Sequence, residues 1–240
     1  MLFRSVSDFD ERACALLRNA SNDKRVYCWG PDAEGSLGNG GGVTSTPTTA
    51  PATPVHLMSD VLDVHTDSFE LDRQPWDVAQ LVAASRIGYQ ASPCVRSYEG
   101  LVKCWNTDHA FLDWGEKLDS VNEMGENLPF VDLGTEVYAT DLTQHTISSD
   151  PTTCALLENG TVTCWGDASD SGVHYSVPGY RGGVTGNEHV SANGDARRVV
   201  GTGTSSGVLT DAVDIARNCA LLSDGTVRCW TYSNNRAHWK

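Results

Sequence analysis

The stretch Thr153–Asp167, TCALLENGTVTCWGD, sets two cysteines ten residues apart around an Asn-Gly turn signal and follows the second with Trp165. The arrangement recurs three more times, as RACALLRNASNDKRVYCWG from Arg12, SPCVRSYEGLVKCWN from Ser92 and NCALLSDGTVRCW from Asn218. All eight cysteines fall in these four segments. A three-residue loop over Glu158, Asn159 and Gly160, with Gly160 in the left-handed region, predicts a hairpin in which Leu156 faces Val162 and Cys154 faces Cys164. Alternation then places Cys154, Leu156, Val162 and Cys164 on one face and Ala155, Leu157, Thr161 and Thr163 on the other. The same counting opposes Cys94 to Cys104 around Tyr98-Glu99-Gly100 and Cys219 to Cys229 around Ser223-Asp224-Gly225. In the first copy the loop is four residues longer, and Cys14 still faces Cys28. The hairpin units lie near 12–30, 92–106, 152–166 and 217–231.

Two readings of the cysteines compete. Buried thiols pack as small hydrophobes, whereas directly opposed cysteines on neighbouring strands have the separation a disulfide needs. Each partner comes from the same repeat and no cysteine is left over, which favours four cross-strand disulfides. Zinc ligation prefers spacings of two to four residues, which do not occur here, and a redox CxxC is also lacking. Four cystines suit an oxidising compartment, so the expected localisation is extracytoplasmic, secreted or at a cell surface.

The first cysteines stand at 14, 94, 154 and 219, giving intervals of 80, 60 and 65 residues, the sign of an array of like modules. Between hairpins, PVHLMSDVLDVHT from Pro54, LPFVDLGTEVYAT from Leu128 and ARRVVGTGTSSGVLTDAVDIA from Ala196 each read as two short strands. Spacer plus hairpin makes a four-stranded antiparallel unit. The long first interval reads as an insertion over 67–82 with a helical turn or two, and the Gly/Ser/Thr/Pro-rich stretch 38–54 as a flexible connection. Four-stranded units in series predict an all-β fold, a β-propeller spanning 1–240 as a single repeat domain. Trp29, Trp105, Trp165 and Trp230 each follow a second cysteine, so they share one structural position and are expected to pack between blades.

The pattern CALLxxGxVxCWG, followed in the first copy by GSLG at Gly35–Gly38, resembles the regulator of chromosome condensation repeat. The resemblance extends over nearly all of the chain and implies a β-propeller, commonly of seven blades; the same superfamily holds the secreted β-lactamase inhibitory protein. Cysteine-paired versions look like the repeats of many bacterial extracytoplasmic proteins. The family's Gly-x-x-His is missing, because Arg12, Ser92, Thr152 and Arg217 stand two residues before the first cysteines. Its Gly-Gln-Leu-Gly survives only in the first copy, with Ser36 for Gln. Because the chain starts inside a hairpin on this reading and stops just after one, it is expected to be a partial propeller of about three and a half to four blades. The start, MLFRSVSDFDERACALL, does not read as a signal peptide.

A formal net charge of −14 argues against a grip on nucleic-acid phosphates, and no apolar run approaches the ~18 residues of a spanning helix. GTSSG at Gly203–Gly207 fits the nucleophile-elbow pattern only formally, since it lies in a Gly/Ser/Thr-rich spacer with only His238 after it. DASDSG from Asp167 resembles a calcium loop, but Pro178 stands where the bidentate Glu is required. No catalytic residue, cofactor or metal ligand is assigned, and the chain is not expected to be an enzyme. Sequons at Asn19 and Asn159 mark positions for a glycan, which would make the chain a glycoprotein. The expected function is a non-catalytic protein-binding scaffold that works through loops on one face, chiefly 67–82, 106–127 and 168–195. Loop acids such as Asp108, Asp113, Glu116, Asp119, Glu123 and Glu126 favour a partner with a basic surface, and open end blades invite oligomerisation. The family resemblance implies a second reading, a guanine-nucleotide exchange factor-like regulator of a small GTPase. A third is a carbohydrate-binding propeller, with Trp76, Trp114 and Trp239 as its candidate aromatics.

Overall fold

A computed structural model describes residues 2–9, 12–18, 24–32, 37–38, 44–48, 54–57, 77–83, 93–105, 124–128, 130–131, 133–134, 136–147, 150–166, 197–198, 200–201, 207–231 and 238–239. Within them the fold is all-β apart from one short 3-10 turn at Gly125–Asn127. It is a partial β-propeller of antiparallel blades. The first blade is β1 (Leu2–Phe9), β2 (Arg12–Arg18), β3 (Lys24–Asp32) and β4 (Thr44–Thr48), paired in that order. The second shows β5 (Val78–Val82), β6 (Cys94–Ser97) and β7 (Val102–Cys104). In the third, β8 (Ala139–Ile147), β9 (Asp150–Leu157) and β10 (Val162–Gly166) are followed by β11 (Arg197–Arg198). A small pair, β12 (Val200–Gly201) with β13 (Gly207–Val208), precedes the fourth blade, β14 (Ala212–Ala216), β15 (Cys219–Leu222), β16 (Val227–Thr231) and β17 (His238–Trp239).

The hairpin register is the one the turn chemistry predicts. Leu156 faces Val162 and Cys154 faces Cys164, with Gly160 at φ 74°. Gly100 and Gly225 close their hairpins at φ 86° and 84°. In two of these turns an Asn or Asp clamps the returning strand: Asn159 Oδ1 accepts from the Thr161 hydroxyl at 2.7 Å, and Asp224 Oδ1 from the Thr226 hydroxyl at 2.7 Å. These bonds, the hydroxyl first, hold the exposed Asp224 carboxyl below its ordinary pKa.

Three sequence expectations are corrected. The chain does not start inside a hairpin, because β1 pairs along β2 and gives the first blade four strands. Within the supposed flexible connection 38–54, Thr44–Thr48 forms β4 on β3; threonine suits a pleated surface, and Pro47 is tolerated on an edge strand. In the supposed helical insertion 67–82, Val78–Val82 is instead β5, with Val78 and Leu81 buried, so tertiary packing overrides the apparent helical spacing.

The first three blades each show their cystine face to the blade that follows. Cys14, Leu16, Val26 and Cys28 share one buried cluster with Val78, Leu81 and Val95 of the second blade. Cys94, Val102 and Cys104 share another with Ala139, Leu142 and Ala155 of the third, and that cluster continues through Leu156 and Val162 to Ala212 and Ile215 of the fourth. In the second and third blades the residue after the second cysteine therefore faces the preceding blade. Trp105 and Trp165 are fully buried there, Trp29 is half-buried, and the Trp230 side chain lies outside the described residues. The Leu37-Gly38 step also has a second instance that the letters concealed. Like Leu37 and Gly38 (φ 64°), Met124 is buried and Gly125 has φ 76°.

A hydrogen-bond relay stitches the array. Gly100 O accepts from Ala139 N at 2.9 Å, and Gly160 O accepts from Ala212 N at 3.0 Å, so each hairpin tip grips the first strand of the next blade. A Cβ on Gly100 would lie 2.7 Å from both Ala139 O and Tyr138 Cβ, whereas one on Gly225 meets nothing within 4 Å. Gly225→Ala is therefore expected to cost only the left-handed backbone penalty, about 1–2 kcal/mol. Gly100→Ala adds a backbone collision and is expected to cost about 2–4 kcal/mol. Equilibrium denaturation of the two variants checks the difference, and equal losses would remove the relay from the account.

Candidate functional site

Among the described residues an open concavity lies where the tip of the second blade meets the chain entering the third. Val131 N donates to Val102 O at 2.9 Å, laying the segment after Leu128 alongside β7 and leaving an open groove of about 320 Å³. Leu101, Val102, Val131 and Val137 make its floor and walls, with Phe130, Glu136 and Tyr138 at the rim. That volume is at the small end of ligand-sized cavities. Phe130 and Tyr138 are exposed despite their apolar area, and a third exposed aromatic, Tyr98, stands on the same hairpin tip. Glu136 holds φ 54°, an uncommon conformation for a side-chain-bearing residue.

Ammonium groups lie over two of these rings, Phe130 and Tyr98. Lys103 is buried, its Nζ donating to Leu57 O and Gly125 O at 2.8 Å each and lying 4.6 Å from the Phe130 ring centroid. The two carbonyls compensate the cost of burying the charge, and the ring face adds a cation–π contact. Lys24 sits 4.0 Å from the Tyr98 ring centroid and donates to the Tyr98 hydroxyl. Between the second and third blades Gln80 Nε2 donates to Asp141 Oδ1 at 2.7 Å and to Leu142 O at 2.9 Å. Arg96 Nε donates to Gln80 Oε1 at 3.3 Å; burial lowers the pKa of its guanidinium and Asp141 opposes that shift. This network joins neighbouring blades.

The four expected cysteine pairs are each joined, with Cα atoms 4.0–4.1 Å apart, the close separation of opposed residues in an antiparallel pair. Asn159 is exposed at its turn, and Asn19 lies outside the described residues. Of the expected binding loops, residues 106–123 and 168–195 lie outside the described residues, as do Trp76 and Trp114 and the side chains of Glu126 and Trp239. Among the described residues no group of three or more His, Cys, Asp or Glu is placed to hold a metal ion.

The groove was not expected from the sequence. LPFVDLGTEVYAT was read as two strands, but among its described residues only Ala139 onward lies in one, and Gly134 holds φ 111°. The clue available was the pair Phe130 and Tyr138 flanking a Gly-containing turn segment, a spacing with no strand partner.

The fold and its repeated tips thus define a cystine-clasped propeller scaffold. No family model matches the chain, and no curated protein matches it. Solved structures do. The crystal structure of Kap60 bound to yeast RCC1 (Prp20) aligns with a TM-score of 0.52 at 19% identity, over 95% of this chain and 43% of that one. The crystal structure of human WBSCR16 aligns with a TM-score of 0.45 at 15% identity, over 73% of this chain and 36% of that one. The chain has an RCC1-like fold and spans less than half the length of these solved chains.

Proposed function

We propose that this chain is a non-catalytic protein-binding scaffold of an oxidising, extracytoplasmic compartment. The observation that carries the reading is the apolar groove rimmed by exposed Phe130 and Tyr138, mounted on blades stapled by four cystines. Rigid aromatic anchors beside a concavity are the usual centre of a protein interface. With Glu136 on the rim and a net charge of −14, the favoured partner presents an aliphatic or aromatic side chain flanked by Lys or Arg. The fold likeness keeps an exchange-factor role in view, yet four cystines suit an intracellular regulator poorly.

Panning a displayed peptide library on the native, unreduced chain tests the proposal. Enriched peptides are expected to carry an apolar anchor beside basic residues and to bind less tightly as salt rises. Replacing Phe130 and Tyr138 together by Ala is expected to weaken them at least about tenfold. No enrichment, or binding indifferent to both replacements, would overturn the reading.

A further inference from the structure

Around the tip of the second blade, two of the exposed aromatic rings have a cation behind them. Lys103 Nζ lies 4.6 Å from the Phe130 ring centroid, and Lys24 Nζ 4.0 Å from that of Tyr98. Both lysines are buried, at 1% and 8% exposure, whereas Phe130 is 44% exposed and Tyr98 52%. The side that each ring shows to solvent is therefore the one away from its ammonium. Lys103 is fixed in that place, because its Nζ also donates to Leu57 O and Gly125 O at 2.8 Å each. Tyr138 differs: it is 41% exposed on the same rim as Glu136, and among the described residues no ammonium lies over its ring.

We propose, resting on the scaffold reading above, that the groove selects an aromatic side chain of a partner peptide, stacked on the outer side of Phe130, with the peptide's Lys or Arg directed to Tyr138 and Glu136. An aromatic ring is negative on its faces and positive at its edge, and a cation held over one face satisfies that face's attraction for positive charge. Polarised towards Lys103, the Phe130 ring shows solvent a face depleted of π density. That face attracts a second cation poorly and an electron-rich ring well, in an offset stack. An aliphatic side chain could fill the groove of about 320 Å³, but it would gain nothing from the polarised ring. Tyr138 keeps its full attraction for a cation, and the Glu136 carboxylate on the same rim adds to it. The partner's ring and its cation are thus received at different parts of the rim, which gives the bound peptide a direction.

Varying the peptide while the protein stays intact tests the proposal. The probes are N-acetylated tripeptide amides Arg-X-Arg, with X as phenylalanine, cyclohexylalanine, pentafluorophenylalanine or lysine, titrated at low salt into the native, unreduced chain and followed by chemical shifts. Cyclohexylalanine keeps the apolar bulk without a π face, and pentafluorophenylalanine keeps the shape with the charge pattern of the ring inverted. The phenylalanine peptide is expected to bind about two- to tenfold more tightly than either, and the lysine peptide most weakly of the four. Phe130→Leu, at an exposed position, is expected to erase the preference for the ring, whereas Tyr138→Leu weakens all four peptides and leaves the preference in place. Equal binding of the phenylalanine and cyclohexylalanine peptides, tighter binding of the pentafluoro peptide, or a preference that survives Phe130→Leu would overturn the inference and leave the scaffold reading standing. A chain that binds none of the four would overturn both.

Discussion

Complete reduction and alkylation of the native chain is expected to abolish its cooperative unfolding transition and its near-ultraviolet circular dichroism. Each cystine closes a loop of 10 or 14 residues, worth about 2–3 kcal/mol by restriction of the unfolded chain. Four such restraints together are comparable to the whole stability of an ordinary domain, about 5–15 kcal/mol. The loss has a second component. Six of the eight half-cystines are buried at the blade interfaces, Cys14, Cys94, Cys154 and Cys164 fully, and Cys219 and Cys229 are half-buried. Alkyl groups would not fit there. A reduced chain that retained a sharp transition would show that blade packing suffices without the bridges.

The second large effect is expected from Trp165→Ala. Trp165 is almost fully buried in the cluster that joins the second, third and fourth blades, so truncation removes a large apolar surface and leaves a cavity between packed sheets. The expected cost is about 3–5 kcal/mol. Trp29, at the same place in its repeat but half-buried, is expected to cost clearly less when truncated. Chemical denaturation of both variants under oxidising conditions checks the ranking. If the two cost the same, the repeated tryptophan is not a blade-to-blade residue, and its recurrence needs another cause.

The repeated hairpins were legible because their causes are local. Turn chemistry at Asn159-Gly160 and Asp224-Gly225 sets the register, and register decides which residues share a face. That short-range reasoning placed Cys154 opposite Cys164 and Leu156 opposite Val162. It fails where a strand owes its existence to a neighbour. Val78–Val82 reads as part of a helical insertion until β6 is beside it, and Thr44–Thr48 reads as linker until it lies on the edge of β3. The candidate groove was equally hidden, since Phe130, Glu136 and Tyr138 gain meaning only where Val131 pairs with Val102.

By itself, then, the amino-acid order determined the module: a cystine-clasped hairpin, its turn, its two faces and its fourfold repetition, all consequences of period-two alternation and positive-φ glycine. Only the tertiary structure decided which of those faces are covered. Leu156 and Leu221 occupy the same place in the same motif, and one is buried while the other meets solvent. Burial depends on what is packed against a surface, and nothing within a repeat encodes whether another blade stands beside it.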